Sequence, residues 1–158
     1  MGRSLLVVLA LLSGCAVPVQ PTEVKDSALC ELPEVAPEVF WPTVEMGVDV
    51  WFADELDPTC VDRLKTAKWV RPARGSEAMV SDRQAEIGGC DNGSQFVIGI
   101  REGYGAQQAA HEIAHGLFEC ADLHDSPDWN EDHDVELFDD TIRGILAVNQ
   151  DRLRFSSH

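Results

Sequence analysis

Hydrophobic residues recur at helical spacing in two stretches of the second half of the chain. The first stretch predicts an amphipathic helix that begins near residue 106, with its apolar stripe at Ala110, Ile113, Ala114, Leu117 and Ala121. The second predicts a C-terminal helix, with its stripe at Val135, Phe138, Ile142, Ile145 and Leu146. Ser126-Pro127 is a suitable N-cap and first residue for this second helix.

Shorter patterns predict the strands and a further helix. Apolar residues alternate with period two over residues 44–52, and residues 96–100 form a continuous apolar run; both patterns are typical of strands. Asp57-Pro58 forms an N-cap and first residue, which predicts a helix that continues to about residue 70. Residues 78–80 suggest another short strand, whereas residues 87–94 are rich in Gly and Asn and predict a loop.

The first residues form a targeting segment. Arg3 precedes an apolar run over residues 5–12, which is too short to span a membrane. The run ends Leu-Ser-Gly-Cys at residues 12–15, which resembles a bacterial lipoprotein signal. The resemblance implies removal of residues 1–14, a lipid anchor in the membrane on Cys15, and a place in the cell envelope, at the outer membrane if the cell is Gram-negative. A plain secretory signal with an incidental cysteine is the alternative.

Domain organisation and charge follow from this reading. Removal of residues 1–14 from the 158-residue chain leaves 144 residues, enough for one domain with a hydrophobic core. Residues 15–42 contain five prolines and predict an anchor and tether, ordered at most from about residue 30, and residues 43–158 predict the domain. The formal charge of −16 becomes −17 without Arg3, and so acidic a protein repels nucleic acid and anionic membrane surfaces.

The cysteines beyond the lipidation site indicate disulfide bonds. They are Cys30, Cys60, Cys90 and Cys120. An even number of cysteines in an exported protein favours two disulfides, for which three connectivities are possible. Zinc bound by cysteines is the alternative, but the chain has no C-x-x-C pair. A bridge at Cys120, five residues after His115, would clamp the end of the predicted helix.

The first predicted helix carries the sequence His111-Glu112-Ile113-Ala114-His115. Two histidines four residues apart lie on one face of a helix, so both can reach a single ion. Neutral imidazole suits Zn²⁺, which catalytic sites hold with three protein ligands and a water. Glu112 stands beside this pair and can accept a proton from that water. Two surface histidines on an ordinary helix are the simpler alternative.

A buried strand, a short turn and an H-E-x-x-H helix together resemble the zincin metallopeptidases. The resemblance covers residues 95–121, roughly a fifth of the chain. It implies an α+β domain with a small mixed sheet backed by helices, an active-site helix and a C-terminal helix. It also implies zinc-dependent hydrolysis of a peptide or protein substrate, with Glu112 as general base. Tyr104, the only tyrosine, is a candidate for oxyanion stabilisation, although a packing role is the simpler one.

The third zinc ligand has two rival candidates. Gluzincins take a glutamate from a later helix, and Glu136 stands 21 residues after His115, with Asp140 one turn further on as a possible hydrogen-bond partner for a ligating histidine. Metzincins take a third histidine soon after the motif; here Ala121 fills that position and His124 follows three residues late. The sequence favours Glu136 over His124. Weaker alternatives are Asp122, His133 and the absence of a third protein ligand.

The acidic region around Glu136 also allows a different metal. Ten carboxylates and no lysine or arginine fall between residues 119 and 140. Oxygen-bearing side chains occupy the ligand positions of an EF-hand-like calcium loop at Asp128, Asn130, Asp132, Asp134, Glu136 and Asp139. His133 replaces the glycine that the turn requires, so structural Ca²⁺ is the minor alternative here. A non-catalytic lipoprotein that serves as a binding or structural module is the alternative to a peptidase.

Overall fold

The computed structural model describes residues 28–40, 45–48, 51, 56–79, 83–123 and 136–155. The strands are β1 (Lys68–Val70), β2 (Ala85–Cys90) and β3 (Gln95–Ile100). The α-helices are α1 (Glu45–Val48), α2 (Pro58–Lys65), α3 (Ala106–Cys120) and α4 (Glu136–Phe155), and 3-10 turns span Ala28–Glu31 and Pro37–Val39. The described chain is therefore of the predicted α+β class, with a small mixed sheet and helices.

The sheet has the strand order β1-β3-β2, with β1 parallel and β2 antiparallel to the central strand. The outer edge of β1 is covered, because Glu34 bridges to Val70 and the Val35 N–H donates to Trp69 O at 2.8 Å. No strand among the described residues pairs with the outer side of β2. Within that part of the chain, β2 is the open edge of the sheet.

Side-chain alternation along β3 divides the core into two parts. Ile98 and Ile100 pack on the side that faces the helices, together with Ile113 and Leu117 of α3. Residues of the opposite side form a smaller cluster made by Leu29, Val70, Met79, Cys90 and Val97. Because successive strand residues point to opposite faces, one short strand supplies both clusters.

The longest predicted elements are confirmed. Helix α3 and strand β3 lie within a residue or so of their predicted positions, and α4 buries Phe138 and Ile145 from its predicted stripe. Helix α2 starts as predicted, because Asp57 Oδ1 accepts the Thr59 N–H at 3.0 Å and Pro58 is the first helical residue. The predicted N-cap of the last helix, Ser126-Pro127, lies outside the described residues.

Two short elements were predicted wrongly near the start of the domain. Residues 45–48 form α1, so the strand predicted over residues 44–52 is wrong for these four residues. This short helix packs against α3 and α4, and that packing overrides the alternating pattern. Helix α2 ends at Lys65 rather than near residue 70. It stops early because residues 68–70 pair with residues 97–99 of β3.

The region before β3 also differs from expectation. Residues 78–79 lie in a turn rather than in a short strand, and the predicted loop over residues 87–94 is half strand. Its first half belongs to β2, and only residues 91–94 turn. Three residues of that turn have positive φ: Asp91, Asn92 and Gly93. The sequence Asp91-Asn92-Gly93 was therefore a signal of a hairpin with a short turn, not of a long loop.

Part of the predicted tether packs against the domain. Leu29 is fully buried, and Phe40 is buried and stacks on Trp69 with ring centroids 5.9 Å apart. Residues 28–40 thus belong to the packed body, whereas Cys15 and the predicted signal segment lie outside the described residues. Of the helices described, none has both the length and the apolarity needed to cross a membrane.

The four cysteines form two disulfides, which confirms the prediction and selects one connectivity. Cys30 bonds to Cys90 and Cys60 bonds to Cys120, with Cα–Cα distances of 5.8 and 5.2 Å. Each bridge joins residues 60 apart, and closing a loop of that length stabilises a fold by about 4 kcal/mol in the chain-entropy picture. The second bridge ties α2 to the end of α3.

Candidate metal centre

His111 and His115 lie on one face of α3, as their spacing predicts. Their Nε2 atoms are 3.1 Å apart, and their ring centroids are 4.8 Å apart with the planes at 71°. Two ligands of a tetrahedral zinc ion, each about 2.05 Å from the metal, stand about 3.3 Å apart. The spacing and the chemistry of this histidine pair therefore fit two of the ligands of such an ion.

Phe138 of α4 contacts both histidine rings. Its ring centroid lies 5.3 Å from that of His111 and 5.0 Å from that of His115, and it also packs on Phe118 at 5.2 Å. Only 1% of Phe138 is exposed. The phenyl ring restricts rotation of both imidazoles, because any large change of either ring would collide with a side chain that is itself fixed in the core.

The described residues do not complete a metal site. Among them, no group of three His, Cys, Asp or Glu side chains comes together to hold an ion. Glu136 is exposed, and it stands two residues before Phe138, which places it about 200° around the helix. Since Phe138 faces the histidines, Glu136 faces away from them. The rival candidate His124 lies outside the described residues, as do Asp128, Asn130, Asp132, His133 and Asp134.

The remaining candidates around the centre have other local roles. The carboxylate of Asp140 pairs with Arg143 on the exposed side of α4. Asp122 is exposed beyond the end of α3, where its N–H donates to Glu119 O at 3.1 Å. Tyr104 precedes α3 and is 36% exposed, with its N–H donating to Arg101 O. None of the three forms a metal-binding group with the histidine pair in the described chain.

Glu112 is buried next to the histidine pair and reaches the edge strand. Only 5% of it is exposed, and its carboxylate accepts a hydrogen bond from the N–H of Ile87 in β2. The Arg101 N–H donates to Gln84 O at 3.0 Å, which places residues 84, 86 and 88 at the hydrogen-bonded positions of the β2–β3 ladder. Residues 85, 87 and 89 therefore direct their backbone groups outward, and Glu112 meets one of these groups.

The surroundings of Glu112 favour its protonated form. The pKa of its carboxyl is raised from 4.5 to about 8, mainly by burial and also by the nearby negative charge of Glu86. The hydrogen bond from Ile87 and the positive charge of Arg83 lower this pKa and offset part of the effect. A carboxylate in such a place takes up a proton near neutral pH, which is the property required of a general base.

A glycine allows α3 to lie this close to its neighbours. A β-carbon at Gly116 would stand 2.5 Å from Leu64 Cδ1 and 3.2 Å from Ile87 Cδ1. Real β-carbons essentially never approach within 3 Å, so a larger residue would push α3 away from α2 and β2. Farther along the helix, the Asp57 N–H donates to Cys120 O at 2.8 Å, and the Cys60–Cys120 bridge holds the same end.

Sequence reasoning found the three residues of the motif but not their partners. Phe138 was recognised only as one member of an apolar stripe, and its contact with the histidines gave no sequence signal. The role of Ile87 was missed because residues 87–94 were interpreted as a loop. Gly116 directly follows the motif, and a glycine inside a helical pattern was the one available sign of close packing.

No protein-family model, curated protein or solved structure matches this chain. What the site can do chemically therefore follows from its own residues. Two imidazole nitrogens suited to Zn²⁺ and a buried carboxylate with a raised pKa lie on adjacent faces of one helix. This set combines a metal-binding pair with a candidate base.

We predict that Glu112→Gln stabilises the metal-free protein, and does so more at higher pH. A carboxyl with a pKa raised by folding contributes fully to stability below pH 4.5, and that contribution is lost as the pH rises to about 8. Glutamine has no such loss. The variant's advantage in free energy of unfolding should therefore grow by more than about 1 kcal/mol across this range, since one pKa unit corresponds to about 1.4 kcal/mol.

Urea unfolding in the presence of a chelator, repeated at several pH values, measures this difference. Glu102→Gln is the matched control, because it makes the same substitution at an exposed residue just before α3. A difference between Glu112→Gln and the parent that stays constant with pH would contradict the raised pKa.

Proposed function

We propose that this protein is a zinc-dependent peptidase of the zincin type, tethered to a bacterial membrane through a lipid on Cys15. One observation carries the proposal: the Nε2 atoms of His111 and His115 converge to 3.1 Å on the helix face next to the buried Glu112. A histidine pair of this spacing suits zinc, and a carboxylate held beside it suits proton transfer.

The roles of the residues follow from their placement. His111 and His115 would hold the ion, and Phe138 keeps their rings in position. Zinc, when bound, supplies a Lewis acid and makes water acidic enough to lose a proton near neutral pH. Glu112 accepts the proton of the attacking water and delivers it to the leaving amine. Its raised pKa supports this role, because the carboxyl can both take and release a proton near pH 7.

The edge of β2 supports a peptide as the substrate. Residues 85, 87 and 89 direct backbone groups outward. Glu112 holds the Ile87 N–H and Cys30 Sγ lies 3.4 Å from the Gly89 O, whereas the Ile87 O and the Gly89 N–H also face this edge and can pair with an extended peptide as an added strand. Glu112 meets this edge at Ile87. A peptide that pairs with β2 in antiparallel orientation would therefore pass directly beside the candidate base and the histidine pair.

The source of the third ligand is part of the proposal. The exposed position of Glu136, on the side of α4 opposite Phe138, makes it a poor partner for the histidines in this arrangement. We therefore place His124 ahead of Glu136, which reverses the order that the sequence favoured. A structural Ca²⁺ in the acidic segment 128–139 remains compatible with this assignment, because it would not compete for His124.

A non-catalytic binding or structural module is the second candidate function. The observation that favours it is that no third metal-binding side chain joins the histidine pair within the described residues. Such a protein would use the same edge of β2 to hold a peptide without cleaving it. Turnover of peptides by the zinc-loaded protein distinguishes the two functions.

Zinc affinity is the first test of the metal centre. We expect His111→Ala and His115→Ala each to lower zinc affinity by more than about 100-fold, because each removes a direct ligand. We expect His124→Ala to cause a similar loss and Glu136→Ala to change the affinity less than about threefold. Competition with a chromogenic chelator measures all four variants. A large loss for Glu136→Ala with none for His124→Ala would restore the gluzincin-like assignment.

The lipid anchor is tested separately. Cys15→Ala is expected to release the protein from the membrane fraction or to leave the signal segment uncleaved, because the modified cysteine is lost. Fractionation of cells and the mass of the mature chain measure the two effects. Unchanged fractionation and mass would indicate that Cys15 carries no lipid.

Catalysis is tested by Glu112→Gln. The variant keeps the size of the side chain but cannot accept a proton, so we expect zinc content to stay near that of the parent. Peptide hydrolysis should fall by about 10²–10⁴-fold, the usual contribution of a positioned acid–base group. Glu102→Gln again serves as the control. Equal hydrolysis by parent and Glu112→Gln would contradict the assigned base, and no hydrolysis by the zinc-loaded parent would favour the binding module.

A further inference from the structure

A cavity of about 130 Å³ lies on the helix side of β2. Its lining residues are Arg63, Ile87, Gly88, Gly89, Gly93, Phe96 and Glu119. An apolar cavity of about 150 Å³ is large enough for a benzene molecule. The space between β2 and α3 therefore fits a single apolar side chain of medium size.

The absence of a side chain at Gly89 is what leaves this space open. Gly89 pairs with Phe96 across the ladder, and directly opposed residues point to the same face of a sheet. Phe96 is buried in the cluster between the sheet and the helices. A side chain at residue 89 would therefore enter the cavity and lie beside the phenyl ring.

Charged side chains form the rim of the cavity and leave its inner wall apolar. The Arg63 guanidinium lies over the Phe96 ring, with Cζ 5.0 Å from the centroid, and donates to Gly93 O. Its Nη2 is 3.9 Å from Glu119 Oε1. The two side chains are 33% and 48% exposed. This rim stays in water, while the phenyl ring and the backbone of Gly89 form the deeper wall.

The cavity and the candidate base lie against the same edge strand. Gly89 lies two residues beyond Ile87, the residue whose N–H binds Glu112, and two strand residues span about 6.8 Å. The Ile87 side chain and any side chain placed at residue 89 would face the same side of the sheet. A peptide paired with β2 would present alternate side chains to that side with the same spacing.

We propose that this cavity is a specificity subsite that binds one apolar side chain of the substrate peptide. The inference rests on the proposed peptidase function. In antiparallel pairing, the substrate residue opposite Gly89 is two residues N-terminal to the one opposite Ile87. The subsite thus selects a residue such as leucine or methionine on the N-terminal side of the position next to Glu112. Arg63 and Glu119 border the subsite without filling it.

A positional peptide library tests the subsite with the zinc-loaded full-length protein. We expect one position to favour leucine or methionine over alanine by about tenfold or more in kcat/KM, the discrimination typical of an apolar pocket. Gly89→Val should reduce that preference to near twofold, because its side chain occupies the cavity. Gly88→Val is the matched control: Gly88 lines the cavity with its backbone only, and a side chain at residue 88 would point to the other face of β2 and should leave the preference intact.

A smaller substitution and a binding assay test the subsite even if Gly89→Val does not fold or the protein does not cleave the peptides. Should Gly89→Val fail to fold, Gly89→Ala fills less of the cavity and should reduce the same preference by a smaller factor. Binding of the leucine and alanine peptides to zinc-loaded Glu112→Gln protein gives a readout that does not depend on turnover. There, too, the leucine peptide should bind more tightly, and Gly89→Val should remove the difference.

The outcomes separate the subsite from the function on which it rests. Hydrolysis by the parent with no apolar preference, or with a preference that Gly89→Val leaves unchanged, overturns the subsite alone. No hydrolysis by the parent overturns the peptidase function; if the leucine peptide also binds no better than the alanine peptide, the subsite falls with it. A preference that Gly89→Val removes and Gly88→Val retains supports the inference.

Discussion

The close approach of α3 to α2 and β2 at Gly116 is the constraint on which the centre depends. A β-carbon at this position would meet Leu64 and Ile87, so the three elements can pack at this distance only around a glycine. The approach brings the face of α3 that carries Glu112 next to the edge strand β2, where its carboxylate reaches the N–H of Ile87. It also turns the histidine face of the helix toward α4.

The burial of Glu112 disfavours its charged form, and its surroundings offset only part of that effect. Removal of a carboxylate from water raises its pKa, while one hydrogen bond from Ile87 and the positive charge of Arg83 oppose the effect. A purely structural residue at this position would be better apolar, as the buried Ala109 and Ile113 of the same helix are. Carboxyl groups with strongly shifted pKa values concentrate at functional sites. The placement of Glu112 next to two histidines therefore supports a functional role for all three residues.

Covalent and aromatic contacts hold this small fold around the centre. One disulfide fastens the N-terminal turn to β2, and the other fastens α2 to the end of α3. Phe138 then links α4 to both histidine rings and to Phe118. A sheet with few strands buries limited apolar area, so cross-links and a fixed aromatic contact contribute much of the rigidity that a metal centre requires.

The sequence alone determined the features that depend on local geometry. The common face of His111 and His115 follows from helix periodicity, and the start of α2 at Pro58 follows from the preceding N-cap aspartate. Tertiary structure decided whatever depends on residues distant along the chain. Residues 85–90 became a strand because β3 offered a partner, and residues 45–48 became helical because they pack on α3 and α4. Burial by neighbouring elements also set the pKa of Glu112. A periodic pattern in the sequence shows which face of one element is apolar, but it does not show which distant element will pack against that face.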